Sequence, residues 1–158
     1  MSRESPAPAW TPRNPDFAAR ARDSFLRQGF MRLVGAEIDT VAPGHCVLAV
    51  AHRPDLTQQH GFFHGGLIGS LADNAAGYAA FTLAPADASI LTVEYKVNLL
   101  EPGRGARLLA DARVLRAGRR IATCEVDVWG ITANTRTRCA VAVVTLMYLE
   151  GRSDHAEG

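Results

Sequence analysis

Two glycines that follow a histidine, and a carboxylate farther along the same apolar run, are the residues best suited to chemistry. Residues 60–77 read HGFFHGGLIGSLADNAAG, with the Gly65-Gly66 pair directly after His64. A Gly-Gly pair at a helix start leaves N–H groups open to close approach, so they can bind an oxyanion. Asp73 lies inside the apolar run, where an isolated carboxylate is costly unless it has a partner or a function. Together these residues indicate acyl-transfer chemistry.

The spacing of these residues predicts a site shared between two chains. Asp73 comes nine residues after His64, which on a helix is about 900° of rotation and about 13.5 Å along the axis. The two side chains therefore point to opposite sides of the helix and cannot reach one reacting atom. If Gly65-Gly66 and Asp73 act together, a two-fold dimer with two composite sites is required.

Two further polar residues are candidates for the same site. Gln58, followed by Gln59, lies in the loop before the motif and can orient a carbonyl oxygen or a water molecule. Thr92 lies in the strand after the helix. Each has a simpler interpretation, as a solvated loop residue or an ordinary β-branched strand residue. Asp73 and His64 can likewise serve only to satisfy local backbone groups, so the residues alone leave both interpretations open.

The composition is that of one globular domain without a polyelectrolyte partner. The chain has 158 residues, 47% of them hydrophobic, and a formal net charge of +1 from 17 basic and 16 acidic residues. This balance gives no support to binding of nucleic acid or an anionic membrane. The three cysteines form no CxxC pair, and the N-terminus has no signal-peptide pattern. A cytoplasmic protein with buried free thiols is expected; the cysteines are Cys46, Cys124 and Cys139.

No metal or organic cofactor is expected. The histidines at 45, 52, 60 and 64 lack a cysteine or acid at the spacing of a known ligand set. The sequence contains no P-loop, no GxSxG elbow and no GxGxxG followed by an acid.

Hydrophobic periodicity predicts an α+β fold in which an antiparallel sheet wraps one buried helix. Residues 16–150 form a single domain between flexible tails at 1–15 and 151–158. The strand at 89–100 is expected to alternate strictly, and the strands after the helix to form a meander. The other face of the sheet needs cover, which favours dimerisation. The expected elements are a helix at 16–28 ended by Gly29, a hairpin at 35–52 turning at Pro43-Gly44, a loop at 53–63, a long helix at 64–83, and strands at 89–100, 107–116, 120–129 and 137–149.

The segment HGGLIGSLADNAAGYAA, followed by LTVEYKVNLLEPGRG, resembles the hotdog-fold acyl-CoA thioesterases of the PaaI type. The resemblance covers roughly residues 30–149. It implies a hotdog fold, a curved antiparallel sheet around one long central helix, to which this chain adds an N-terminal helix. It also implies a homodimer, often assembled further into a homotetramer, and an acyl-CoA substrate.

The resemblance assigns a role to each candidate residue. Gly65 presents its N–H to the thioester carbonyl, and Asp73 of the partner subunit acts as general base or nucleophile. Gln58 helps orient water or the thioester, and Thr92 places a hydroxyl near the water. His64 holds the geometry of the loop.

Several points stay open at this stage. Some relatives carry a hydroxyl one turn after the acid, where this chain has Gly77. A non-catalytic acyl-CoA binding or regulatory protein on the same fold is the main alternative function, and a hotdog hydratase is a third. Arginines that can meet the phosphates of coenzyme A, or equally be solvated, are Arg116, Arg119, Arg120, Arg136 and Arg138.

Overall fold

One six-stranded antiparallel sheet and one long helix form the framework of the protein. The computed structural model describes residues 9–152, 154 and 155. The strands lie in the order β1-β2-β4-β5-β6-β3. The elements are α1 (Phe17–Leu26), α2 (Gly29–Val34), β1 (Ala36–Ala42), β2 (His45–Ala51), α3 (Gly65–Phe81), β3 (Ala88–Leu99), β4 (Arg107–Ala117), β5 (Ile121–Ile131) and β6 (Arg136–Glu150).

The core lies between α3 and the sheet that curves around it. Helix α3 buries side chains on nearly every turn, and Leu71, Ala75 and Ala79 are fully inaccessible to solvent. A helix without a wet face must be enclosed by other structure. The predicted α+β arrangement and the long helix are therefore confirmed, with His64 as the residue that caps α3.

The expected meander after α3 is wrong, because β3 does not lie beside β4. It pairs antiparallel with β6 along its whole length and forms one edge of the sheet. Residues 100–106 carry the chain past the start of α3, where the Phe63 N–H donates to the Gly103 carbonyl at 2.9 Å. Alternation within a strand specifies which face is buried but not which neighbour it pairs with.

The expected strict alternation of β3 is also wrong. The register with β6 shifts between Thr92 and Glu94, which leaves Val93 as the extra residue of a β-bulge. Thr92 and Tyr95 both face α3 as a result: Thr92 bonds to that helix, and the Tyr95 ring lies 3.6 Å from where a Cβ on Gly69 would be. A bulge re-aims the side chains on either side of it.

The edge formed by β3 exposes a band of large apolar side chains. Leu91, Val93, Tyr95 and Leu99 are 48–57% exposed, and Val143 beside them on β6 is 51% exposed. An unpaired edge strand with an apolar surface is a template for pairing with another chain.

The N-terminal helix expected at 16–28 is confirmed as α1, and the structure adds a second helix, α2, that the sequence did not predict. Gln28 has an extended backbone with ψ 110°, so α1 ends before it and Gly29 begins α2 instead of ending α1. Both helices lie on the core through buried side chains such as Phe25 and Met31. No helix among the described residues is long and apolar enough to cross a membrane.

The predicted tails pack against the domain where they are described. Trp10 lies against Gly44, where an added Cβ would come 2.2 Å from the indole ring, and Asn14 is only 7% exposed. At the other end, Asp154 accepts a hydrogen bond from Arg27 at 2.6 Å. The packed part of the chain therefore starts before residue 16. Residues 1–8, 153 and 156–158 lie outside the described residues.

All three cysteines are free and buried, as predicted. Burial raises the pKa of the Cys46 and Cys124 thiols to about 12, and it also raises that of Cys139. Such thiols are protonated at neutral pH and are poor nucleophiles.

Candidate active site

The start of α3 leaves one backbone donor unused. His64 caps the helix, with its Nδ1 accepting from the Gly66 N–H at 2.9 Å. The Leu67 and Ile68 N–H groups donate to the His64 carbonyl at 3.0 and 3.1 Å. Gly65 alone in this first turn has an N–H without an acceptor among the described residues. It lies at the helix end that carries partial positive charge, which suits a developing oxyanion.

Glycine is favoured at both positions because side chains there would meet close neighbours. A Cβ on Gly65 would lie 3.2 Å from a Leu99 methyl group, and one on Gly66 would lie 3.0 Å from the His64 ring. A side chain at either position would therefore require Leu99 or the His64 ring to shift.

Gln58 lies in a tight loop that leads into this helix start. Its backbone N–H donates to the Phe62 carbonyl at 2.9 Å, and its side-chain oxygen accepts from the His60 N–H. The side-chain amide N–H groups of Gln58 have no acceptor in the described part of the chain. Phe63, which is 2% exposed, anchors the loop to the core. Gln58 therefore retains a donor for an oxygen atom of a ligand or a water molecule.

Asp73 and Thr92 meet at the middle of α3. The Thr92 hydroxyl donates to Oδ1 of Asp73 at 2.7 Å, and Oδ2 has no partner among the described residues. Desolvation raises the pKa of Asp73, and the Thr92 hydrogen bond only partly opposes it. A carboxyl group with a raised pKa is a better match for proton transfer near neutral pH.

The five predicted residues thus form two groups within one chain. His64, Gly65 and Gln58 lie at the start of α3, whereas Asp73 and Thr92 lie eight residues farther along, about 12 Å along the helix axis. No single chain brings the Gly65 N–H and the Asp73 carboxylate to one reacting atom.

Sequence reasoning missed a cavity of about 130 Å³ beside Asp73. Its wall includes Gln28, which accepts from the Asn74 side-chain amide at 2.9 Å and donates to the Tyr78 hydroxyl at 2.9 Å. Ser24 of α1 lies 3.1 Å from that hydroxyl. Asn74 and Tyr78 lie four residues apart on α3 and share one side of the helix, a signal that the sequence does contain. Nothing in the sequence ties Gln28 to them.

The arginines proposed for coenzyme A differ in their surroundings. Arg136 and Arg138 pair with Asp111 and Asp127 at 3.7 and 3.2 Å. The other three, at 116, 119 and 120, surround the β4–β5 turn, about 33 Å along β4 from the strand end near Gly65.

Arg104, which the sequence did not single out, lies much closer to the helix start. Its guanidinium carbon is 4.1 Å from the centre of the Phe62 ring, and its side chain is exposed. The neighbouring Gly103 carbonyl accepts from the Phe63 N–H, next to the helix cap. No carboxylate pairs with Arg104 among the described residues.

The histidines have partners other than metal ions. His45 Nε2 lies 2.9 Å from Asp111, and the His52 ring packs edge-on against Phe63 with centroids 5.1 Å apart. Within residues 9–152, 154 and 155, no three His, Cys, Asp or Glu side chains are placed to hold a metal ion.

Comparison with known proteins decides the family. Residues 60–135 match the model of the Thioesterase superfamily. The crystal structure of a thioesterase family protein from Silicibacter pomeroyi is 41% identical, with a TM-score of 0.84 over 85% of this chain and 99% of that chain. The chain belongs to the thioesterase superfamily. The expected hotdog fold and the PaaI-type resemblance are thereby confirmed.

Other thioesterases and related structures agree with this assignment. The medium/long-chain acyl-CoA thioesterase YigI of Escherichia coli is 26% identical over 137 residues, or 77% of this chain and 85% of YigI. The Escherichia coli PaaI protein, at 19% identity, shares the fold with a TM-score of 0.77 over 86% of this chain and 95% of its own. Thioester hydrolysis is therefore the general activity of this thioesterase.

Proposed function

We propose that this thioesterase hydrolyses an acyl-CoA to the free acid and coenzyme A at two composite sites of a homodimer. The observation that carries the proposal is the Gly65 N–H at the start of α3, which has no acceptor within residues 9–152, 154 and 155. The ionisable group that complements it is Asp73, whose pKa is raised and whose Oδ2 has no partner in the part of the chain that the structure describes. The name of YigI, an acyl-CoA thioesterase, supports coenzyme A as the thiol.

The reaction follows from these groups. Asp73 takes a proton from water as the water oxygen bonds to the thioester carbon, or the carboxylate itself attacks that carbon. Negative charge develops on the carbonyl oxygen, where the Gly65 N–H stabilises it; one such donor is worth about 2.7–4 kcal/mol. The carbon–sulfur bond then breaks, and the thiolate of coenzyme A leaves and takes up a proton. When Asp73 attacks directly, water completes the reaction by cleaving the anhydride.

The remaining candidate residues support these two groups. Thr92 orients Asp73 through its hydrogen bond, and His64 fixes the helix start by capping Gly66. Gln58 directs a free amide donor toward the water or the thioester.

The dimer is proposed because Gly65 and Asp73 are too far apart within one chain. A two-fold partner would supply the second half of each site. The apolar band on β3, with Leu91, Tyr95 and Leu99 about half exposed, is the surface that we propose to pair. Light scattering tests this assembly and also distinguishes a dimer from a tetramer.

Coenzyme A carries phosphates, and Arg104 is the cation that we propose to meet them. It pairs with no carboxylate among the described residues, it stacks on Phe62, and it lies beside the loop that leads to Gly65. Guanidinium groups bind phosphate oxygens through paired hydrogen bonds.

Release of free thiol from a panel of acyl-CoAs tests the activity. The wild type should release thiol, and Asp73→Asn should reduce kcat about 10²–10⁴-fold, as expected for loss of a positioned base. Gln59→Ala, in the exposed loop before the motif, is the matched control and should retain full activity. Binding of acyl-CoA without release of thiol from any of a broad panel would instead favour the non-catalytic binding protein.

A further inference from the structure

The residues that line the cavity beside Asp73 range from exposed to buried. Asp73 and Thr92 lie at the accessible end, where Thr92 is exposed. Tyr78 and Ser24 lie at the buried end and are 5% and 9% exposed. A thioester whose carbonyl carbon is held at Asp73 can therefore extend its acyl group inward toward Tyr78.

The cavity is small. Its volume is about 130 Å³. An apolar protein cavity of about 150 Å³ accommodates one benzene molecule. A group of about six non-hydrogen atoms fits this space, whereas a chain of twelve to sixteen carbons does not.

The wall of the cavity is also unusually polar for a site that would hold an alkyl chain. Seven of the lining residues carry polar side chains: Ser24, Gln28, Asp73, Asn74, Tyr78, Thr92 and Asp154. The Gln28 amide already uses its oxygen and one N–H within the wall, which leaves its second N–H as a donor. One of the Tyr78 and Ser24 hydroxyls donates to the other at 3.1 Å, so one hydroxyl proton of the pair has no acceptor among the described residues. An alkyl chain would leave these donors unpaired, at a cost that a polar substituent avoids.

The N-terminal helices determine this size and polarity. Gln28 lies at the break between α1 and α2 and bonds to both Asn74 and Tyr78 of α3. Ser24 of α1 lines the buried end, 3.1 Å from the Tyr78 hydroxyl. The N-terminal helices therefore supply two of the polar side chains in the wall opposite α3.

We infer that this cavity receives the acyl group, that the acyl group is compact and carries a hydroxyl or similar polar substituent, and that Gln28 determines this specificity. The inference rests on the proposed thioesterase function of the Asp73 site.

Two substitutions change the cavity in opposite directions. Gln28→Ala removes the side chain that bonds both α3 residues and should widen the cavity. Gly77→Ala should narrow it, since Gly77 lines the cavity and an added Cβ would meet only a Leu146 methyl group, at an ordinary 3.8 Å. Arg32→Ala, on the exposed side of α2, is the matched control. Thermal unfolding establishes that each variant is folded, and Gln28→Asn replaces Gln28→Ala if the latter is not.

The experiment compares kcat/KM for acetyl-, butyryl-, 3-hydroxybutyryl-, octanoyl- and palmitoyl-CoA. The wild type should prefer 3-hydroxybutyryl- to butyryl-CoA by about fivefold, the size of one neutral hydrogen bond, and should hydrolyse palmitoyl-CoA least. Gln28→Ala should lower the hydroxyl preference and raise relative activity on octanoyl-CoA. Gly77→Ala should impair the four-carbon substrates more than acetyl-CoA, and Arg32→Ala should match the wild type.

Two results would overturn the inference: a wild-type preference for palmitoyl-CoA, or an unchanged profile in both cavity variants. Calorimetry can measure the affinities of the matching S-alkyl-CoA thioethers, which cannot be hydrolysed. These affinities compare the same acyl groups without catalysis. Absence of thiol release from every acyl-CoA would contradict the proposed function, while the order of thioether affinities would still decide the inference about the cavity.

Discussion

The Thr92 hydroxyl donates a hydrogen bond to Oδ1 of Asp73 at 2.7 Å. The two residues are nineteen positions apart in sequence, one on the central helix and one on the edge strand. The bond fixes the carboxylate and leaves Oδ2 for substrate or water. It also opposes the rise in the pKa of Asp73 that desolvation causes.

Replacing Thr92 by valine keeps the shape of the side chain and removes this hydrogen bond. A hydrogen bond to a charged group contributes about 1.5–3 kcal/mol, so kcat should fall roughly tenfold or more. The acidic limb of the pH profile should move to higher pH, because the opposing effect on the Asp73 pKa is lost. Thr92→Ser retains the hydroxyl and should behave like the wild type. An unchanged pH profile in Thr92→Val would show that the bond does not act on the reacting carboxylate.

The raised pKa of Asp73 predicts the pH dependence of catalysis. Both the general-base and the nucleophilic mechanism need the ionised carboxylate. Activity should therefore fall as the pH drops through the raised pKa, at a higher pH than an ordinary aspartate would give. A profile of kcat against pH measures this limb. A limb at or below the ordinary aspartate value would contradict the assignment of Asp73 to the reaction.

The same raised pKa predicts that Asp73 reduces the stability of the fold at neutral pH. The native state binds the proton more tightly than the unfolded state, so stability decreases as the pH rises through the interval between the ordinary and the raised pKa. Asp73→Asn should therefore have a higher Tm than the wild type at neutral pH. The difference should vanish in acid, below both pKa values. Thermal unfolding at several pH values tests this, and a pH-independent difference would indicate another cause.

Arg104 is expected to act on binding rather than on chemistry. Arg104→Ala should raise KM about tenfold, equivalent to about 1.4 kcal/mol, and leave kcat unchanged. The effect should weaken at high salt, since screening reduces attraction between exposed charges. Arg116→Ala, on the distant β4–β5 turn, is the control and should leave KM unchanged. If the two variants change KM equally, Arg104 has no special role.

The sequence predicts the elements well where periodicity is strong. The apolar run after His64 specifies α3, and the Pro43-Gly44 turn specifies the first hairpin, because both signals are local. The position of β3 beside β6 could not be predicted, because the alternation of apolar residues in β3 is compatible with pairing to β4 as well as to β6. Helix α2 was also missed, because Gly29 is typical of a helix end and a helix of six residues is too short to show a clear period.

The candidate site was predictable in its parts and not in its arrangement. The sequence identifies the Gly65-Gly66 pair as a possible oxyanion-binding group and Asp73 as a possible base. Helix geometry alone shows that the two are too far apart to act together within one chain. Thr92 is a candidate from its place in the strand after the helix, its role comes from the family resemblance, and its bond to Asp73 depends on the tertiary fold. The wall formed by Gln28 comes from a segment more than forty residues away from Asp73, so spacing gave no indication of it.

The bulge at Val93 affects how this chain is aligned with its relatives. Four side chains of β3 face the helix: Thr92, Tyr95, Val97 and Leu99. The alternation of side chains between the two faces of the sheet therefore shifts by one residue within β3. In a regular strand every second residue faces the same side, so counting back from Leu99 would place Val93 toward the helix. An alignment without a gap to a relative with a regular strand would therefore match Val93 to the helix-facing polar residue of that relative. A one-residue gap at Val93 restores the correspondence and matches Thr92 instead. Deletion of Val93 would likewise leave every other side chain of the strand on its present side of the sheet. Deletion of a residue between Tyr95 and Leu99 would move the side chains on one side of the deletion to the opposite side of the sheet.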